Sequence, residues 1–128
     1  MRKCVLVLAL AGLIGFVELP AQAPACLHGP KETAAERERR TTALDYARQL
    51  NTFEAAGKSH AQRYYAIEDL PGLPKLPAGF KASMSTDGAS YTFSIKDTLD
   101  ACHFAYFSDQ DGVIYTAAPI PGSRGAGL

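Results

Sequence analysis

The chain has 128 residues, 47% hydrophobic and 20% charged, with thirteen basic and thirteen acidic side chains and no net formal charge. That length suits one domain around one core. The charge balance argues against a nucleic-acid partner, which would want a basic face.

Arg2 and Lys3 precede the apolar run VLVLALAGLIGFV, Val5 to Val17, and small residues follow at Ala21, Ala23 and Ala25. A basic start, a short apolar stretch and a small-residue cleavage zone form a secretory signal peptide over residues 1–25. A membrane span needs about 20 apolar residues, and Glu18 and Pro20 end this run too early, so no transmembrane span is expected in the mature chain. Cleavage after Ala23 leaves Pro24 first, and cleavage after Ala25 leaves Cys26 first; a Cys at the new terminus is also where a lipid anchor attaches. The expected location is the periplasm or the extracellular space, free or tethered through Cys26. Without the signal, eleven basic and twelve acidic residues remain.

Of the three cysteines, Cys4 leaves with the signal, and Cys26 and Cys102 remain as an even pair in a disulfide-permissive setting. They either form a bridge, adding about 2–4 kcal/mol by closing a long loop, or stay as two thiols. Spacing alone does not decide between them.

Lys31 to Gly57 has no proline and many helix formers, which predicts one long helix stopped at Gly57. Leu44, Ala47, Leu50 and Phe53 recur every three residues as its core stripe. The earlier half, with the run ERERR from Glu36 to Arg40, reads as a solvated face carrying a Glu36–Arg40 pair at i,i+4. Pro71, Pro74 and Pro77 then recur every third residue, the period of a polyproline II ligand, but the simpler reading is a stiff connector to the sheet.

From Gly79 the apolar period becomes two. Phe80, Ala82 and Met84 alternate with polar residues, as do Tyr91, Phe93 and Ile95, and Asp87-Gly88 supplies the turn between two strands. CHFAYF and VIYTAA read as a second strand pair around FSDQDG. A calcium loop aligned on Gly112 would place Phe107 and Ala118 at its first and last ligand positions, where oxygen donors are essential. Asp109, Asp111 and Gly112 are therefore read as a hairpin turn, with at most a weak cation contact. The tail, residues 120–128, carries three glycines and no apolar pattern and is expected to be disordered. The fold class is α+β: one long helix packed on a roughly four-stranded antiparallel meander, spanning 26–119.

Cys26, His28, Cys102 and His103 are metal-ligand types, but neighbouring Cys102 and His103 on a strand would face opposite ways, so no metal site is assigned. His60 reads as a surface histidine after the helix, and His103 as the outward member of its strand. There is no Gly-x-Ser-x-Gly elbow and no glycine-rich phosphate loop, and the Glu68-Asp69 pair is borne on a loop. No catalytic set, cofactor or metal is expected.

Leu50-Asn51-Thr52 late in the helix, Ala78-Gly79-Phe80 opening the first strand and Asp109 to Tyr115 closing the sheet resemble the globular part of type IV pilin-like or pseudopilin-like proteins. The resemblance covers roughly residues 43–119. It implies a non-catalytic, extracytoplasmic structural or interaction component of a surface or secretion assembly, with a protein partner. Gly15-Phe16-Val17-Glu18 imitates the family's processing site, but Glu18 falls at the third mature position rather than the fifth, and the apolar run precedes the glycine. Pro20 and Pro24 break any helix there. The filament-forming N-terminal helix of the family is thus not matched. The alternative is a small secreted ligand-binding protein or lipoprotein, with a small hydrolase as a lesser one. The two classes differ at the sheet: coverage of Tyr91, Phe93 and Ile95 by Leu44, Leu50 and Phe53 leaves no pocket, whereas a cavity there favours ligand binding.

Overall fold

The computed structural model describes residues 26–117. The expected signal peptide and the tail from 120 lie outside the described residues. Helix α1 spans Ala34–Ala61, and strands β1 (Phe80–Thr86), β2 (Tyr91–Asp97), β3 (Ala105–Asp109) and β4 (Tyr115–Ala117) form one antiparallel sheet in the order β1-β2-β3-β4. The fold is α+β, one helix against a four-stranded meander.

Thr33 caps the start of α1 by accepting from the Glu36 amide, and the Glu36 carboxylate accepts from the Thr33 amide, so two otherwise orphaned donors are satisfied. The helix does not stop at Gly57. It runs a further turn to Ala61 and ends at Gln62, in the left-handed region with φ 58°, whose amide donates to the Lys58 carbonyl. Gly57 serves packing instead: a Cβ there would lie 3.0 Å from the Tyr65 ring, which folds back over the last turns.

The buried helix positions are Ala43, Tyr46, Ala47, Leu50 and Glu54, the i, i+3, i+4, i+7 stripe of an amphipathic helix. Leu44 and Phe53, the two ends of the expected stripe, flank it and are only half-buried. The reason is angular: steps of three residues drift by about 60° each, so residues nine apart lie on opposite sides of a helix. Leu50 is 0% exposed and packs with Tyr91, Phe93, Ile95 and Tyr106 from the inner sheet face, and Phe80 lies at the margin of the same core.

The proline segment is the connector. Leu70 is buried and Leu73 and Leu76 are half-buried, so the threefold period turns leucines inward while Pro71 and Pro74 face solvent. Gly72 lies against Phe53, and the Tyr46 hydroxyl donates to the Pro74 carbonyl at 3.2 Å. Both turns hold as hairpins. Asp87 accepts from the amides of Ala89 and Ser90, Asp109 accepts from the Asp111 amide, and Gly112 takes φ 73° while its own amide donates to the Asp109 carbonyl.

Cys102 and His103 are not on a strand. They sit in the loop before β3, with His103 at φ 59°, because Asp100 organises the chain there by accepting from the amides of Cys102 and Phe104. The opposed-face argument for that pair therefore does not apply. Cys26 and Cys102 form a disulfide, with Cα atoms 5.2 Å apart. That bond uses the sulfur on which a thioether-linked lipid would be built.

Candidate functional site

The densest polar constellation joins the start of α1 to the sheet. Strict alternation along β2 carries the inward face from Tyr91, Phe93 and Ile95 to Asp97, so an acid lands in the core. Arg39 meets it with a two-pronged pair, Nε to Oδ2 at 2.8 Å and Nη2 to Oδ1 at 2.7 Å, and the Leu99 amide donates at 2.9 Å. Arg39 also donates to the Gly79 carbonyl at 3.2 Å. It passes so close that a Cβ on Gly79 would lie 2.9 Å from Nη2, and Gly79 has φ 85°.

His28 bridges this pair to a second one. Nε2 lies 3.2 Å from Asp97 Oδ2, Nδ1 lies 2.9 Å from Glu32 Oε1, and its side chain is 2% exposed. Glu32 in turn accepts two bonds from Arg40, at 2.8 and 2.9 Å. The short segment before the helix is held down by the disulfide and by the Leu27 amide on Asp100.

The pairing sets the ionisation. The Arg40 guanidinium holds the Glu32 carboxyl down to about 2, burial opposing and His28 assisting. Burial works to raise the Asp97 carboxyl, but Arg39, the Leu99 amide and His28 together hold it below the ordinary range. Both arginines are pushed up by their carboxylate partners. ERERR is thus only partly a solvated face: Arg37 and Glu38 are exposed, but the half-buried Arg39 and Arg40 reach to buried carboxylates, Glu36 caps the helix, and Arg40 pairs with Glu32 rather than Glu36.

A shallow cleft of about 290 Å³ opens beside this knot, lined by His28, Gly29, Glu32, Arg40, Phe104 and Thr116. Its charged groups are already bound to one another. A nucleophile or general base must have a free lone pair directed at substrate, and here the carboxylate oxygens are taken up by guanidinium and imidazole groups.

A second network crosses from α1 to β2 and β3. The Tyr91 hydroxyl donates to Asn51 Oδ1 at 2.8 Å, and Asn51 Nδ2 donates to Ser108 Oγ and to the Gly112 carbonyl. The same side chain thus fixes the Asp109–Gly112 turn to the helix. Further along, Glu54 is 0% exposed; one oxygen accepts from the Tyr65 amide and the other has no partner. Burial pushes its carboxyl up, and burial with the nearby Glu54 raises the Tyr91 phenol.

Among the described residues no helix packs on the opposite face of the sheet. Lys81 pairs with Lys96, Ser83 with Ser94, Ser85 with Thr92, Ser94 with Phe107, and Phe107 with Tyr115. Phe107 and Tyr115 are 41% and 47% exposed, stacked with ring centroids 5.2 Å apart.

The structure brings Ala47, Leu50, Tyr91, Phe93 and Ile95 together as core, with Leu44, Phe53 and Phe80 around it. It joins Cys26 to Cys102, and it keeps Asp109, Asp111 and Gly112 in one turn. The charged knot was missed as a unit, although the continued alternation of β2 already points Asp97 inward. Among the described residues no group of His, Cys, Asp and Glu side chains is arranged to hold a metal ion, and no helix is long and apolar enough to cross a membrane. No family model matches the chain, and no curated protein or solved structure matches it either.

Proposed function

We propose that this chain is a non-catalytic, exported interaction domain of pilin-like architecture, which docks onto a component of the cell surface or a secretion assembly through the outer face of its sheet. One observation carries the reading. The inner face is closed, with Tyr91, Phe93 and Ile95 at 1–3% exposure beneath α1, so the sheet has no internal ligand cavity among the described residues and its outer face carries the exposed aromatic pair. The mutually neutralised knot supports it as well, since a rigid ion-pair lock suits a scaffold better than a reacting centre. The disulfide accords with export, because such bonds persist outside the reducing cytosol.

The test is fractionation of the native host expressing the tagged protein. The wild type is expected to remain with the cell envelope at low ionic strength, and the double variant F107S/Y115S to be released, while Gln49→Ala on the exposed helix face behaves as wild type. An unchanged partition for F107S/Y115S would overturn the assignment of the docking face.

A further inference from the structure

The outer sheet face has a chemistry that narrows its partner. Lys81 and Lys96 are directly opposed across β1 and β2. Like charges so placed, about 5 Å apart at Cβ, repel and destabilise the pair, and among the described residues neither lysine has an ion-pair partner. Beside them lies a floor of hydroxyls, Ser83, Ser85, Thr92 and Ser94, and then the Phe107–Tyr115 stack. Ser94 is both two residues from Lys96 and the partner of Phe107, so the lysine pair and the aromatics begin about 7 Å apart along the strand. Among the described strand residues the acid on this face is Asp109, at the far end opposite Thr92, with its carboxylate turned to the Asp111 amide.

We infer that this face binds an acidic glycan, its carboxylate, sulfate or phosphate groups over Lys81 and Lys96, its hydroxyls on the Ser/Thr floor and a sugar ring against Phe107 or Tyr115. The inference rests on the docking reading and specifies its ligand. A protein partner fits less well: the centre of a protein interface is depleted in Lys and Ser, and Lys81, Lys96, Ser83, Ser85 and Ser94 make up most of this face beside the aromatic stack. The opposed lysines give the charge complementarity. An anion held between them removes the repulsion that the bare sheet carries.

The test uses the full mature protein in affinity electrophoresis and calorimetry against polygalacturonate and dextran sulfate, with uncharged dextran as the matched control. Binding to at least one acidic polymer and none to dextran is expected. K81Q/K96Q should weaken that binding about tenfold, equivalent to about 1.4 kcal/mol, and Phe107→Ala should weaken it as well. K31Q/K75Q, which removes two exposed lysines elsewhere, should leave it unchanged. Absence of binding to both acidic polymers, or equal losses in K81Q/K96Q and K31Q/K75Q, would overturn the inference. If neither polymer binds while F107S/Y115S still releases the protein from the envelope, the acidic glycan falls and the docking face stands.

Discussion

Replacing Asp97 by Asn tests whether the charged knot locks the helix start to the sheet. The carboxylate accepts two bonds from Arg39, one from the Leu99 amide and one from His28, all in a side chain 2% exposed. Asn has the same shape but one acceptor oxygen, and its amide nitrogen must face an Arg39 N–H. Charge-assisted bonds contribute about 1.5–3 kcal/mol each, and breaking a buried pair costs about 3–5 kcal/mol. Arg39 is 30% exposed and regains some hydration, which places the expected loss near the lower end, about 3 kcal/mol. Urea denaturation at pH 7 should show it as a lower midpoint with an unchanged slope. The pH dependence has a definite sign. Because the Asp97 carboxyl is depressed in the folded state, its contribution is full above the unfolded carboxylate range, near pH 4, and is lost as pH falls through the folded value. The gap between wild type and Asp97→Asn should therefore be constant from pH 7 to 5 and shrink in stronger acid. A loss below about 0.5 kcal/mol at pH 7, the range of ordinary surface substitutions, or a gap that ignores acidification, would refute the reasoning.

Glu54 carries the opposite sign. Its raised carboxyl means that folding is favoured while it stays protonated and loses stability as pH rises from about 4 through the folded value, so Glu54→Gln should gain on the wild type over that window in thermal melts at successive pH values; parallel curves would contradict the buried-acid account. Gly79→Ala should cost about 1–2 kcal/mol from the left-handed backbone alone, with a further loss as Arg39 is pushed from its carbonyl, and an unchanged melting temperature would show that the contact is not tight. The mature protein, analysed by intact mass, should take up two alkyl groups only after reduction, whereas an acyl adduct on Cys26 would contradict the bridge.

Much of the architecture was legible because periodicity reports directly on which face is buried. The alternation in Phe80 to Met84 and Tyr91 to Ile95, with Asp87-Gly88 between them, specifies a hairpin, and no calcium loop survives Phe107 and Ala118 at ligand positions. The helix end was misplaced because Gly57 usually marks a stop. Here its missing side chain makes room for Tyr65, a contact between residues whose approach depends on the loop that follows. The knot was obscured for a similar reason. Glu32, Arg39 and Arg40 look like an ordinary charged face until the disulfide and Asp100 draw the preceding segment over the end of β2, and those are long-range events that local pattern does not encode. His103 followed the same loop out of the strand, under the control of Asp100.

The docking face is tested most directly by photo-crosslinking in the native host, with a benzophenone side chain placed in turn at Ser94 and Tyr115 on the outer sheet face and at Gln49 and Thr52 on the exposed side of α1. A covalent adduct to one envelope component from both sheet positions, and from neither helix position, is the predicted result. Adducts from the helix positions alone, or none from the sheet, would contradict the claim that this domain works through the open face of its sheet.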